Sequence, residues 1–579
     1  MSAKSRGTVG PAEDGAPSRR DVVAAGAAAL AAALPLSRAF AADGATVSGV
    51  VYEDRSQSRR RQASEPGIPN VLVSNGREVV KTDARGRYTL PLEDESMVFV
   101  IKPSGYAVPV DEHMLPRFYY VHQPAGTPAD LNLRFRGIAP TGPLPESVDF
   151  PLQKVEESST FDVILFTDPQ PESHAEVDFV RDDVVSGLIG ARAAFGITTG
   201  DIMFDDLSLY ARLNRIIAQI GVPWYNIGGN HDLNFEAPST RYARETFKRT
   251  YGPNYYAFEY GDALFLMLDN VDYLGPNPSN ARLSGKYEGR FGQRQLTFIA
   301  NVLAQVPPER LVVACMHIPL RNYLDRQPAT NTADREEFLK LLAGRRNTLS
   351  VSGHTHTTEH HYFGPEDGFA GPTPHHHHVL TAVSGSWWSG PYDHRGIAVA
   401  DSRDGSPNGF HILSVDGSSY TTRFQAANEP NRRQMRIVLD SAFNRDHKGL
   451  FRDFRMGQLL GSPLAQEDAL ATNLVVNVFD GGPRTTVTYR IGKRPPVAME
   501  RVARPDPFVE EVFARNEATK KSWVRAEVSS HIWSARLPGD LEPGAHCIAV
   551  RAVDEYGREH RDHLVLELTA GEGVKARPG

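Results

Sequence analysis

Five short apolar runs in the middle of the chain each end in a loop that carries aspartate, asparagine, glutamine or histidine. Runs of this length predict buried strands, and the helical stretches between them indicate a layered α/β domain. Because open α/β sheets place ligands at the carboxyl ends of their strands, the five loops are predicted to lie together. Side chains of these types bind metal ions. The loops are residues 167–170, 200–201, 228–232, 317–319 and 353–356.

The segments on either side of this domain follow a different, alternating pattern. Residues 42–137 contain short strand patterns separated by turns such as the Asn-Gly pair at 75–76, which predicts an N-terminal β-sandwich module. Residues 427–570 alternate in the same way and predict an immunoglobulin-like β domain. A Pro/Gly-rich stretch at 138–143 is predicted to be a linker, so the α/β domain is assigned to residues 155–420.

The first 41 residues have the pattern of an export signal. Paired arginines at 19–20 precede an Ala-rich apolar run that ends near Leu36, and a small-x-small cleavage pattern ends between Ala41 and Ala42. The run is shorter than the roughly 18 residues of a membrane span. Its features resemble a twin-arginine signal, so the twin-arginine export machinery is an expected partner. The mature protein is predicted to be periplasmic or secreted, and soluble.

The order and spelling of the five loops resemble the calcineurin-like metallophosphoesterase superfamily, whose pattern is D-x-H, G-D, G-N-H-[DE], H and G-H-x-H. The resemblance covers roughly residues 161–415 and extends to exported bacterial members with an additional β domain on either side. It implies a central four-layer α/β/β/α domain flanked by an N-terminal and a C-terminal β-sandwich domain. It also implies two divalent or trivalent metal ions, with iron, manganese or zinc favoured. The implied ligands are Asp168, Gln170, Asp201, Asn230, His317, His354 and His356.

The same resemblance implies how these ligands divide between two metal ions. Asp201 would bridge the two ions with its carboxylate. The first site would be completed by Asp168, Gln170 and His356. The second site would be completed by Asn230, His317 and His354. Gln170 departs from the pattern, which has histidine there, and three alternatives stay open: it ligates directly, through a water molecule, or not at all.

Two further residues of the third loop have implied catalytic roles. His231 would be the acid that protonates the leaving oxygen, and Asp232 would orient His231 and raise its basicity. Asp205 and Asp206 follow the second loop and are interpreted as helix-capping residues, with Asp206 as the N-cap.

Candidate substrate contacts lie beside the predicted catalytic edge. Trp387 and Trp388 are predicted to wall a pocket for an apolar or aromatic leaving group, with packing against the C-terminal domain as the alternative. Arg282 lies in a long loop and is a candidate to bind phosphate oxygens, with a solvated loop as the alternative. The four histidines at 375–378 are predicted to form a solvent-facing loop, with accessory metal capture as the alternative.

The sequence therefore predicts an exported two-metal phosphoesterase that hydrolyses a phosphomonoester or phosphodiester by attack of a metal-activated hydroxide. The expected substrate is a phosphorylated small molecule, lipid or cell-envelope component. A net charge of −7 argues against a nucleic-acid-binding surface, which is usually strongly basic. The alternative is a non-catalytic surface- or carbohydrate-binding protein with a decayed phosphoesterase domain. Retention of Asp201, Asn230 and His231 argues against decay.

Overall fold

Alternating burial along short strands builds the N-terminal domain, as in the fourth strand, where Tyr88 and Leu90 are buried between exposed neighbours. The computed structural model describes residues 45–279, 284–427, 433–440 and 464–570. The strands of this domain are β1 (Thr46–Glu53), β2 (Leu72–Ser74), β3 (Val79–Lys81), β4 (Arg87–Pro91), β5 (Ser96–Ile101), β6 (Tyr106–Ala107), β7 (Tyr119–His122) and β8 (Phe150–Lys154). They form two sheets, ordered β4-β1-β8-β6 and β3-β2-β5-β7. Strand β8 pairs with β1, so the sandwich extends beyond the predicted boundary at residue 137.

The central domain contains the strands that lead to the predicted ligand loops. Its strands are β9 (Thr160–Phe166), β10 (Phe195–Thr199), β11 (Trp224–Ile227), β12 (Tyr256–Tyr260), β13 (Ala263–Met267), β14 (Val271–Pro276), β15 (Gly285–Gly289), β16 (Leu311–Cys315), β17 (Thr348–Ser352), β18 (Glu359–Phe363), β19 (His375–Val379), β20 (Gly409–Asp416) and β21 (Ser419–Ala426). Its α-helices are α1 (His174–Phe179), α2 (Tyr210–Ile217), α3 (Glu245–Tyr251), α4 (Gly292–Leu303) and α5 (Arg335–Leu342). The two large sheets are ordered β11-β10-β9-β20-β21 and β12-β13-β16-β17-β19-β18, and β14 pairs with β15 in a separate hairpin.

Two hydrophobic clusters show how the central layers stack. Val163 and Leu165 of β9 lie in a cluster with residues of the second sheet. The intervening Ile164 and Phe166 lie in another cluster with residues of α1 and α2. Because successive side chains of a strand point to opposite faces, the first sheet contacts the second sheet on one side and helices on the other. Helices α4 and α5 contribute apolar side chains to the cluster around the second sheet. This is the predicted α/β/β/α arrangement.

The four consecutive histidines form β19 rather than a loop. This strand lies between β17 and β18, and every one of its residues is buried. The prediction of a solvent-facing loop is therefore wrong. Hydrogen bonds explain how imidazoles replace apolar side chains here: the Ser350 hydroxyl contacts His375 Nε2 at 2.8 Å and His377 Nδ1 at 2.7 Å. Buried polar groups with partners do not carry the full cost of desolvation.

The C-terminal domain is a second β-sandwich. Its strands are β22 (Met435–Leu439), β23 (Leu464–Ala465), β24 (Asn473–Val478), β25 (Thr486–Ile491), β26 (Val497–Ala498), β27 (Glu500–Arg504), β28 (Ser529–Arg536), β29 (Gly544–Val553) and β30 (Glu559–Thr569). They form sheets ordered β22-β24-β28-β27 and β23-β30-β29-β25-β26 around a hydrophobic core. Helix α6 (Pro507–Arg515) starts after Asp506, whose side chain accepts a hydrogen bond from the Phe508 amide. The segment 516–528 after α6 packs against the central domain, where Lys521 bonds Glu176.

The predicted signal peptide, residues 1–41, lies outside the described residues, as does Arg282. Among the helices of the described chain, none combines the length and the apolar character that a membrane span requires.

Candidate metal centre

The candidate ligands follow strands of both central sheets. Strands β9, β10 and β11 are mutually parallel in the first sheet, and β16 and β17 are parallel in the second. All seven implied ligands come from the loops directly after these five strands. The backbone of most of these ligands has a positive φ, a conformation that costs about 1–3 kcal/mol for a residue other than glycine and concentrates at functional sites. The affected residues are Asp168, Gln170, Asp201, His354 and His356.

Glycines allow these loops to approach one another. A Cβ atom on Gly353 would lie 2.2 Å from Asp168 Oδ2, and one on Gly229 would lie 2.1 Å from Asp201 Oδ1. Both distances are far below van der Waals contact, so any larger residue would displace a ligand side chain. The glycines that precede the ligands therefore set the spacing of the centre.

Four ligand atoms converge in one group. His317 Nε2 lies 3.1 Å from Asn230 Oδ1, 3.2 Å from Asp201 Oδ2 and 3.2 Å from His354 Nδ1. The other ring nitrogens contact backbone carbonyls, His317 Nδ1 that of Thr199 and His354 Nε2 that of Ala329, both at 3.0 Å. Because a carbonyl only accepts, the N–H of each neutral ring points outward, and the inward nitrogen of that neutral form has a lone pair for a metal ion.

The electrostatics of this group favour a positive charge. Burial opposes protonation of His317, but the Asp201 carboxylate outweighs it and raises the pKa of His317 to about 9. Burial, together with the charge of His317, lowers the pKa of His354 to about 3. Burial also opposes ionisation of Asp201, yet the charges of His317 and His231 hold the pKa of Asp201 well below its usual range. The ionised carboxylate thus attracts a cation into a nest of nitrogen and oxygen ligands.

A second group consists of buried atoms that have no hydrogen-bond partner among the described residues: Asp168 Oδ1, Gln170 Oε1 and His356 Nε2. Asp168 Oδ1 lies 3.6 Å from His356 Nε2. An unsatisfied buried polar atom costs about 1–3 kcal/mol, so three such atoms are unfavourable unless another group binds them. These three belong to the side chains implied as the first metal site, and a cation would satisfy all of them.

The remaining polar atoms of these side chains hold them in place. Asp168 Oδ2 accepts hydrogen bonds from the hydroxyl of Thr167 at 2.5 Å and from the amide of His354 at 2.9 Å. Gln170 Nε2 donates to Asp201 Oδ2 at 2.7 Å, and His356 Nδ1 bonds the carbonyl of Gly385. Asp201 therefore contacts both ligand groups, through His317 on one side and Gln170 on the other. A carboxylate in this position would be able to contact two ions, one held by each group.

His231 stands beside Asp201 but belongs to neither group. Its backbone amide donates to Asp201 Oδ1 at 2.9 Å, and its ring stacks on Phe204 with centroids 4.5 Å apart. Its Nδ1 bonds Asp205 Oδ1 at 2.5 Å. Burial opposes protonation of this ring, but Asp201 and Asp205 outweigh it and raise the pKa of His231 to about 9.

The prediction that Asp232 orients His231 is wrong. Asp232 turns away and accepts hydrogen bonds from the amides of Ile202 at 3.0 Å and Gly229 at 2.8 Å, and from the hydroxyl of Tyr210 at 2.9 Å. It thereby ties the second and third ligand loops together. The carboxylate that bonds the ring of His231 is that of Asp205, a residue interpreted from the sequence as a helix cap.

Only Asp206 acts as a cap of the following helix. Its side chain accepts a hydrogen bond from the amide of Ser208. No sequence signal separated the adjacent Asp205 from this capping role. Its position four residues after Asp201 is the one feature of the sequence that places it near the centre.

Aromatic rings connect the two sides of the centre. Trp387 stacks on His356 with centroids 3.8 Å apart, and the ring of Trp523 lies edge-on to it at 6.3 Å. Trp523 is also parallel to Phe204 at 5.6 Å, and Phe204 stacks on His231. We call Phe204, Trp387 and Trp523 the aromatic wall. Trp523 is 43% exposed and comes from the C-terminal domain, so no local pattern linked it to the centre.

Trp388 does not belong to this wall. Its side chain is buried in the hydrophobic cluster of the helical layer, beside Phe179. The prediction of a substrate contact for Trp388 is therefore wrong. Trp387 lies beside His356, but it also packs against the cluster of Val509, Val512, Phe513 and Val524 in the C-terminal domain, which was the alternative, so its substrate contact stays a prediction. Both tryptophans have positive φ values, so the tight turn sends the two neighbouring rings to different sides.

Family models match three parts of the chain. The model of the calcineurin-like phosphoesterases matches residues 163–358. The models described as the N terminal and the C terminal of calcineurin-like phosphoesterase match residues 55–136 and 377–560. No curated protein matches the chain significantly.

Two phosphatases are among the solved structures to which the chain is similar. A dimetal phosphatase from Danio rerio is 15% identical with a TM-score of 0.31, over 46% of this chain and 96% of that one. A purple acid phosphatase from yellow lupin (Lupinus luteus) seeds is 13% identical with a TM-score of 0.33, over 62% of this chain and 69% of that one. The three family models match successive parts of the chain, in the order of its three domains. The chain is thus a member of the calcineurin-like phosphoesterases, metal-dependent hydrolases of phosphoric esters, and carries the N-terminal and C-terminal domains associated with that family.

Proposed function

We propose that the chain hydrolyses a phosphomonoester or phosphodiester, with one metal ion held by each ligand group and Asp201 between them. The observation that carries this proposal is the set of three buried, unpartnered ligand atoms on Asp168, Gln170 and His356. The mixture of imidazole and oxygen ligands suits iron, manganese or zinc. Two such ions, when bound, polarise the phosphoryl oxygens and lower the pKa of water to give a nucleophile at neutral pH.

Gln170 is proposed to ligate directly. Its amide nitrogen donates to Asp201, so the same side chain aligns the bridging carboxylate and keeps its Oε1 atom without a partner. A neutral amide oxygen is a weaker ligand than imidazole. The first ion is therefore expected to be held less tightly than the second, which has two imidazoles and Asn230.

His231 is proposed to donate the proton that the leaving oxygen requires. The bond from His231 Nδ1 to Asp205 leaves Nε2 as the ring nitrogen available to substrate. Its side chain is 24% exposed, whereas those of the metal-facing His317 and His356 are nearly inaccessible. Asp205 acts through His231 and is a positioning residue.

The aromatic wall is proposed to bind the apolar part of the leaving group. Such a contact favours a lipid-like or aromatic ester over the other expected substrates, which are phosphorylated small molecules, lipids and cell-envelope components. The rings of Trp387 and Trp523 flank the centre next to His356 and Phe204. Export through the twin-arginine route, to a periplasmic or secreted location, also remains a proposal, which rests on the pattern of residues 1–41.

Metal removal tests the catalytic proposal. Exhaustive chelation is expected to lower hydrolysis of aryl phosphate mono- and diesters by at least about 10³-fold, because bound ions supply several kcal/mol of transition-state stabilisation. Adding manganese, iron or zinc should restore the rate. Steady-state assays of apo and reloaded protein measure this, with metal content determined in parallel. A rate that survives complete removal of metal would contradict the proposal.

Replacing Trp523 by alanine tests the aromatic wall. An aromatic contact contributes about 0.5–1.5 kcal/mol, so KM for an aryl phosphate should rise about 2- to 10-fold. KM for methyl phosphate should stay unchanged, because that ester has no ring to stack. Val565→Ala is the matched control, since it removes an exposed apolar side chain from the outer sheet of the same domain. Equal KM changes for both esters would contradict a role in binding the leaving group.

A further inference from the structure

A second cluster of metal-ligating side chains lies where the two central sheets meet the C-terminal domain. His360 is on β18, His378 on β19 and His411 on β20, while Asp480 follows β24. The Nε2 atoms of the three histidines lie 3.2, 3.0 and 3.3 Å, respectively, from the same atom, Asp480 Oδ1. The three imidazoles are fully buried, and Asp480 is 8% exposed. None of these residues belongs to the centre around Asp201.

Hydrogen bonding alone does not account for this arrangement. A carboxylate oxygen has two lone-pair positions, and three ring nitrogens approach Asp480 Oδ1. His378 Nε2, although 3.0 Å away, makes no hydrogen bond within the described chain. A buried, unpaired ring nitrogen pointing at a carboxylate is unfavourable unless a further group binds both atoms.

The outward ring nitrogens of His360 and His378 are held as those of metal ligands are, whereas His411 Nδ1 makes no hydrogen bond with the described residues. His360 Nδ1 contacts His376 Nε2 at 2.9 Å, and His378 Nδ1 contacts the hydroxyl of Thr422 at 3.2 Å. Such outer contacts set the orientation and tautomer of a ligating imidazole, so that Nε2 can face the metal ion. His360 also stacks on His378 with centroids 4.0 Å apart, which keeps the two Nε2 atoms on the same side.

We infer that His360, His378 and Asp480 bind a single divalent cation of the zinc type. Bonds of about 2.0–2.1 Å in a tetrahedral site separate neighbouring ligand atoms by about 3.3 Å, close to the 3.2 and 3.0 Å between Asp480 Oδ1 and the Nε2 atoms of His360 and His378. The ligand atoms of these three residues lie within 4.8 Å of one another, whereas His411 falls outside that group although its Nε2 contacts Asp480. Two imidazoles and one carboxylate are ligands that zinc accepts, and because all three side chains are buried the cation would have a structural role.

The ligands of this site come from two domains. His360 and His378 belong to the six-stranded sheet of the central domain, and Asp480 follows β24 of the C-terminal sandwich. A cation here would fix the C-terminal domain on the central domain. Because this domain also carries Trp523, the cation would help to hold the aromatic wall at the phosphoesterase centre.

Metal stoichiometry tests the inference without relying on activity. The double variant Asp201→Ala/His317→Ala, which disables the phosphoesterase centre, should still hold about one zinc per chain after dialysis against zinc chloride and then buffer. Adding His378→Phe should remove that zinc. Adding His375→Phe instead, a buried histidine of the same strand outside the cluster, should leave it. A double variant that holds no zinc, or a His378→Phe variant that keeps it, would overturn the inference.

Anomalous diffraction covers the case in which the variants do not fold. Crystals of the unaltered protein grown with zinc chloride should show a peak at the zinc edge about 2.0–2.2 Å from His378 Nε2 and Asp480 Oδ1. This peak would be separate from those around Asp201. A map with peaks at the Asp201 centre and none at this cluster would overturn the inference, whatever the outcome for phosphoester hydrolysis.

Discussion

Replacing Asp201 by alanine is expected to abolish measurable hydrolysis of aryl phosphate esters and to lower the metal content of the purified protein. The Asp201 carboxylate contacts a side chain of each ligand group, His317 in one and Gln170 in the other. Its loss removes a ligand from each proposed ion and several kcal/mol of catalysis, which corresponds to a rate loss of at least about 10³-fold. Steady-state kinetics and elemental analysis on the same preparations measure both effects.

The matched control for this change is Asp162→Ala. Asp162 lies near the start of β9, away from the ligand loop at its other end, and bonds the hydroxyl of Ser414. That variant should keep both metal content and rate within about 2-fold of the unaltered protein, because surface substitutions rarely alter stability much. An Asp201→Ala protein that stays folded, keeps its metal and hydrolyses the esters at the normal rate would contradict the assignment of this centre as the catalytic metal site.

Replacing His231 by alanine is expected to lower kcat by about 10²- to 10⁴-fold while metal content stays unchanged. His231 contacts Asp201 through its backbone amide, which alanine preserves, and its ring contributes to neither ligand group. Asp205→Asn should give a smaller loss of kcat, about 10-fold, because the imidazole remains but loses its charged partner. Loss of rate with metal retained would distinguish His231→Ala from Asp201→Ala, which is expected to lose both.

Asp206→Asn provides the control for the neighbouring carboxylate. Asp206 caps a helix through the Ser208 amide, a contact that asparagine also makes, so its kcat should match that of the unaltered protein. Loss of metal from His231→Ala would show that the ring supports the metal centre rather than proton transfer. Equal rates for Asp205→Asn and the unaltered protein would remove Asp205 as the positioning residue.

Much of the fold was predictable because its signals are local. The buried runs that became β9, β10, β11, β16 and β17 were visible as apolar segments, and the flanking sandwiches as alternating ones. The boundary at residue 137 missed β8, which pairs in parallel with β1 from about a hundred positions away. Parallel pairing between strands so far apart in the chain produces no recognisable pattern in the sequence that connects them.

The candidate site divides in the same way. The seven implied ligands could be named because the loops after five strands carry the motifs of the family that the chain resembles. The partner of the His231 ring could not be named from the sequence. Asp205 and Asp232 are both carboxylates near the same loops, and only the backbone turns decide which of them faces the ring. Trp523 could not be predicted as part of the site either, since it reaches the centre from the C-terminal domain.

The sequence by itself determined which residue types stand at the ends of which strands, and hence the family and the implied set of ligands. Local order is enough for this, because strand periodicity and motif spacing are properties of neighbouring residues. Only the tertiary structure decided where the side chains point and which distant segments meet. The sequence predicted that the four consecutive histidines form a polar loop, but in the structure they form a buried strand. Packing also brings His360 and His411, from other strands, to the Asp480 carboxylate. Burial and direction depend on contacts between segments far apart in the chain, and no local pattern records them.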